Sequence, residues 1–143
     1  MGSKSKGVHK MKLYEFIENH DVDYSYNRVN ETFLPEIEKK VGVRIGEQLK
    51  RYILNYGYLG YKHIELLGVN SSQGMASDMI KQTLLLHERF DTTKNLIALE
   101  DQGDGDYYLV DETDMVYRFI PDNNISKTGI DLDDYILNRF LTV

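Results

Sequence analysis

The sequence predicts an α+β fold: a mostly antiparallel sheet with a central meander, and helices packed around it. Two observations carry this. Residues Asn95 to Phe119 read as three short strands separated by turns. On both sides of that stretch, apolar residues recur at helical spacing. The resulting order is helices, one strand, a helix, the meander and a last helix.

In the meander, Leu96-Ile97-Ala98-Leu99 is an apolar run, and Tyr107-Tyr108-Leu109-Val110 is rich in aromatic and β-branched side chains. Met115-Val116-Tyr117-Arg118-Phe119 alternates in part. Between the first two lies Asp101-Gln102-Gly103-Asp104-Gly105-Asp106, whose glycines supply the positive φ of a tight reversal.

Residues 1–11 are basic and contain glycine and serine; they read as a flexible tail, and residues 12–143 as one domain. Leu13, Phe16 and Ile17 predict a short helix over Lys12 to His20. Val29, Phe33 and Ile37 predict a second, with Asn30 or Thr32 as cap, Pro35 in the first turn and Gly42 as stop. Leu49, Tyr52, Ile53 and Tyr56 share one face of a third, which Gly57 ends. Tyr58 to Gly68 reads as a loop and then a strand near 63–67. Met75 to Phe90 is a longer helix. Pro121 to Gly129 reads as polar loop, and Asp131 or Asp133 starts a last helix facing Leu132, Tyr135, Ile136 and Phe140 inward. The strands near 63–67, 95–100, 106–111 and 115–119 are expected in one sheet.

Net charge is −6, concentrated at one end: from Glu100 onward there are 11 acids and 3 bases, against 12 acids and 14 bases before it. This balance argues against nonspecific nucleic-acid or membrane binding and favours a basic partner. No apolar run approaches the roughly 20 residues of a membrane span, so a cytoplasmic location is the default expectation. With no cysteine there is no disulfide framework, thiolate metal site or thiol nucleophile.

The chemistry-bearing patterns point away from catalysis. Gly103-Asp104-Gly105 lacks the lysine and spacing of a phosphate loop. Counted from Asp101 as a calcium loop, the third and fifth positions are glycine and the sixth is Asp106, so the ligand pattern fails. His9, His20, His63 and His87 lie in different elements without zinc spacing. Ser71, Ser72 and Ser77 lack a nucleophile-elbow context. The expectation is a binding protein with no cofactor and no metal. Tyr52, Tyr56, Tyr58 and Tyr61 crowd ten positions. The first two belong to the apolar stripe, whereas Tyr58 and Tyr61 follow the helix and are candidate aromatic anchors.

Several short motifs occur in a fixed order. Val41-Gly42-Val43 precedes a helix that ends in Asn55-Tyr56-Gly57. The Leu96–Leu99 run, the hairpin Gly103-Asp104-Gly105-Asp106 with Tyr107-Tyr108-Leu109-Val110-Asp111, Val116-Tyr117 and a final helix follow. Over about residues 27–140 the chain resembles the SUKH superfamily, which groups bacterial toxin-immunity proteins with fungal Smi/Knr-type cell-wall regulators. It departs at Ile45-Gly46, where the family often has Leu-Pro. The resemblance implies an α+β fold and a protein that binds and neutralises a cognate secreted toxin, often a nuclease or deaminase. The alternatives are a regulatory scaffold like the fungal relatives, or a small-ligand-binding protein. Asp101, Asp104, Asp106, Glu112 and Asp114, flanking the meander's turns, are the expected partner-binding acids, with Tyr58 and Tyr61 beside them. Turns of neighbouring hairpins can end on the same or on opposite edges, so these acids form one patch or two. The sequence sets neither the toxin's identity nor the oligomeric state.

Overall fold

The structure, a computed structural model, describes residues 11–122 and 124–143. The expected tail over residues 1–11 lies outside the described residues except for Met11. Each helical spacing becomes a helix. Leu13 and Phe16 are buried by α1 (Leu13–Asn19). A 3-10 turn at Glu31–Phe33 opens α2 (Leu34–Val41); the Asn30 side chain accepts from Thr32 N, and Pro35 sits in the first turn, where it has no helical N–H to lose. Leu49, Tyr52 and Ile53 are the buried face of α3 (Glu47–Asn55). The longest helix, α4 (Asp78–Arg89), begins three residues later than its spacing suggests, behind a 3-10 turn at Gly74–Ala76. Asp131 caps α5 (Leu132–Leu141), its side chain accepting from Asp134 N.

The strands form two sheets instead of one. β1 (Asp23–Tyr24), β2 (Leu59–Tyr61) and β3 (Ile64–Glu65) make a small antiparallel sheet. β4 (Ile97–Gly103), β5 (Asp106–Val110), β6 (Met115–Ile120) and β7 (Asn124–Asp131) make the larger one, in sequence order and antiparallel throughout. The meander is therefore as predicted, but the strand near 63–67 does not join it. Lys62 at φ +54° and His63 close a tight turn that pairs Tyr61 with Ile64 locally. One backbone bond, Leu67 N to Leu99 O at 2.8 Å, ties this segment to the larger sheet. Residues 121–129 are also corrected: most of that stretch is β7, an edge strand pairing Tyr117 with Lys127 and Phe119 with Ile125. None of its side chains is fully buried, so it lacks the apolar alternation that reveals a half-buried strand.

The outer edge of β4 is closed residue by residue. The buried imidazole of His87 bonds Leu96 O at 2.8 Å. The Thr83 hydroxyl accepts from Ala98 N at 2.9 Å while donating to Met79 O at 2.7 Å. Leu67 N then takes Leu99 O. An exposed edge invites pairing with other chains, and α4 together with Leu67 covers that edge at the start of the strand. Ile97 and Leu99 join the main core with Leu49, Ile53, Ile80, Val110, Val116, Ile136 and Phe140. Ala98 and Leu109 join a smaller cluster around Leu86 and Phe119, where the Phe90 ring lies 4.7 Å from that of Phe119.

Asp114 fastens the helices to the meander. It is buried at 6% exposure and stands at φ +69° in the β5–β6 turn. Its carboxylate accepts from Gln48 N at 3.0 Å and Leu49 N at 3.1 Å, capping α3 from 66 residues away in sequence. Its carbonyl accepts from Leu132 N, the first residue of α5. Gln48 completes the junction, donating to the Asp131 carboxylate and accepting from Asp133 N.

Candidate functional site

Beyond Leu99 the edge of β4 opens into a groove. Its walls are the segment after β3, the N-terminus of α4 and the end of β4, and Arg139 of α5 stands at one side. This cavity, about 670 Å³, adjoins a second of about 310 Å³, and Glu65, Leu66 and Asp78 line both. Tyr58, Ser25 and Gln73 stand at one end; His63, Asp101 and Arg139 stand at the other. Gly68 makes the groove possible: a Cβ there would lie 2.3 Å from Gly57 O and 2.4 Å from Tyr58 Cβ, so any side chain would push the Tyr58 backbone away.

The groove is acidic. Glu100 at its floor is 3% exposed, and its charge is already matched. Arg139 binds it two-pronged at 2.6 and 3.1 Å, and the Tyr135 hydroxyl donates to it at 2.6 Å. Buried charge requires this full complement of partners. Glu65, Asp78 and Asp101 have no ion-pair partner among the described residues, and they supply the unbalanced negative charge. Tyr58 senses it: burial first, then the Asp23 and Glu65 carboxylates, push its phenol above the ordinary tyrosine range. Anionic side chains converging beside an aromatic ring attract and hold cationic groups. Among the described residues no group of three or more His, Asp or Glu is placed to hold a metal ion.

The residues singled out in the sequence do not form one site. Asp101 and Tyr58 are brought onto the same groove, at its two ends. Asp104, exposed at φ +55°, projects from the β4–β5 turn beyond it. Asp106 is engaged by Arg118 at 2.9 Å, so much of its charge is matched. Glu112 lies at the opposite end of the sheet, on a separate cleft of about 590 Å³ with Arg44 and Asp111. The acids thus fall into two patches. Asp114 must be withdrawn from any contact surface, because burial and helix capping consume it. Tyr61 is half-buried: its ring packs 5.2 Å from Phe16 and 5.4 Å from Phe140. Glu65 and Asp78 were missed. Glu65 ends a two-residue strand and Asp78 opens a helix, and no spacing links them; only the tertiary fold places both beside Asp101.

The family described as SMI1-KNR4 cell-wall (SUKH_5) matches residues 10–141. The chain belongs to this SUKH family. No curated protein matches it. In this SUKH chain the Asn55-Tyr56-Gly57 motif is the turn from α3 into β2, which sets Tyr58 at the groove. The Ile45-Gly46 departure has a structural cause of its own. A Cβ at Gly46 would lie 2.5 Å from Asp114 Oδ1, so the carboxylate cap of α3 occupies the space that a side chain would need.

Proposed function

We propose that this SUKH protein is an immunity protein that binds a cognate secreted toxin and occludes its working face, with no chemistry of its own. The observation that carries this reading is the acidic groove made by the two adjoining cavities. Glu65, Asp78 and Asp101 line it without ion-pair partners, and Tyr58 stands at its rim. A nuclease cleft is basic because it binds phosphates. An acidic surface complements that field, speeds encounter and covers the cleft. Tyr58 supplies the amphipathic contact area that interfaces favour. The binding takes place inside the producing cell, before the toxin is exported.

The test is the association rate with the toxin encoded immediately upstream of this gene. That rate should fall roughly tenfold or more once the Debye length drops below about 8 Å, near 0.15 M salt. Glu65→Gln with Asp101→Asn should slow association and flatten the salt dependence while unfolding stays unchanged. Association insensitive to both would refute the acidic-groove mechanism. A cell-wall regulatory scaffold is the second reading, favoured by the matched family's description. An upstream toxin gene supports immunity; its absence supports the scaffold.

A further inference from the structure

Tyrosines of α1 and β1, and others just after α3 and β1, gather on one surface. Of the large hydrophobic side chains exposed among the described residues, Leu141 and Val143 belong to the C-terminus, and Met11, Tyr14, Tyr24 and Tyr26 lie on one side. Met11 and Tyr14 line a groove of about 690 Å³ whose far wall is Tyr56. From Tyr56 the aromatic surface continues: the Tyr24 ring is 6.5 Å away, and Tyr26 lies 5.6 Å beyond it. Tyr26 is 86% exposed and Tyr14 52%, so neither ring contributes much to the core. Exposed aromatic surface gathered in this way marks a contact site.

The charges around it select the occupant. Arg51 is tied to Asp133 at 2.7 Å in the groove, and Arg28 is bound to Ser25 O with its guanidinium 5.8 Å over the Tyr24 ring. Glu18, Asp21 and Asp23, on α1 and around β1, have no ion-pair partner among the described residues. The Tyr56 phenol is pushed up by burial first, then by Asp133 and Glu18. The groove itself holds Lys12, Arg51, Asp131, Asp133 and Asp134. Counted with Arg28, Glu18, Asp21 and Asp23, three cations face six acids, so this surface is net acidic and complements a basic partner.

We propose that the Tyr14–Tyr56–Tyr24–Tyr26 surface docks a basic protein segment that carries an aromatic side chain between lysines or arginines. The aromatic side chain enters the groove, and the flanking cations meet Glu18, Asp21 and Asp23. The tyrosine-lined groove shares no lining residue with the acidic groove, although Asp23 lies near both, and the proposal does not depend on the toxin reading.

The chain contains no tryptophan, so a tryptophan probe reports alone. The probe is a capped peptide with one central tryptophan between two pairs of lysines. Its emission should shift to the blue and saturate as the full chain is added. Tyr14→Ser with Tyr26→Ser should weaken the probe's binding at least about tenfold. Circular dichroism and the unfolding midpoint of that variant should match the parent. The Glu65→Gln, Asp101→Asn variant should bind the probe as the parent does. A tryptophan peptide flanked by glutamates should not bind. The proposal is overturned if no saturable shift occurs, if the glutamate peptide binds equally, or if the tyrosine variant binds unchanged. It is also overturned if binding is lost only in the groove variant. A parent that sediments as a dimer and a tyrosine variant that sediments as a monomer would overturn it too, by showing that a second copy covers this face.

Discussion

Removing the Asp114 carboxylate should unfold this protein about 10 °C earlier. Asp114→Ala deprives Gln48 N and Leu49 N of a charged acceptor at 3.0 and 3.1 Å in a buried setting. Loss of a helix cap costs about 1 kcal/mol, and each buried donor left unpaired costs about 1–3 kcal/mol. Alanine at φ +69° adds roughly 1 kcal/mol of backbone strain that aspartate and asparagine bear better. Overlap among these terms brings the expected loss to about 3–4 kcal/mol. For a chain of this length that is roughly a 10 °C fall in midpoint. Gly46→Ala provides the decisive control. In the parent its new Cβ would meet Asp114 Oδ1 at 2.5 Å and displace the same cap, costing about 1–3 kcal/mol. In the Asp114→Ala background the obstruction is gone, and the second change should cost almost nothing. Urea unfolding of the four proteins should therefore show a coupling of at least about 1 kcal/mol. If the two changes add within about 0.5 kcal/mol, or Asp114→Ala alone costs less than about 1 kcal/mol, the capping argument is wrong.

Other outcomes follow from the same geometry. Thr83→Val keeps the shape but removes the acceptor for Ala98 N, and should cost about 1–3 kcal/mol; faster hydrogen exchange at the Ala98 amide reads the lost bond. Burial raises the Asp111 carboxyl, but hydrogen bonds from Thr113, Met115 and Tyr117 outweigh it and hold the group below its usual 3.8. The folded state then takes up this proton less readily than the unfolded chain. The stabilisation is present above the unfolded value and disappears as pH falls from about 4 through the lower folded value. Urea midpoints measured between about pH 5 and pH 2.5 should fall less steeply for Asp111→Ala than for the parent; parallel curves would refute the assignment.

The sequence by itself determined the elements wherever local chemistry and a buried face agree. The Leu49, Tyr52, Ile53 stripe makes α3 and the Leu132, Tyr135, Ile136, Phe140 stripe makes α5, because 3.6-residue spacing turns one face inward. The glycine-rich turn before Tyr107 makes the meander, because the positive φ at Gly103 and Gly105 is cheap only for glycine. Edge strand β7 gave no such signal: its partner supplies the hydrogen bonds, and its exposed side chains carry no period. The segment after Tyr58 pairs locally through the Lys62–His63 turn, while Thr83 and His87 occupy the start of the β4 edge, an arrangement visible only in three dimensions. The acids show the same division. Sequence reveals that they are concentrated near the meander, since charge is a sum over residues. It does not reveal that Asp114 is buried as a helix cap, that Asp106 is matched by Arg118, or that Glu65, Asp78 and Asp101 share a groove. Those roles depend on which backbone N–H or cation each carboxylate meets, and the groups that meet come from segments 66 residues apart for Asp114 and Gln48 and 12 apart for Asp106 and Arg118. Only packing brings them within hydrogen-bond reach.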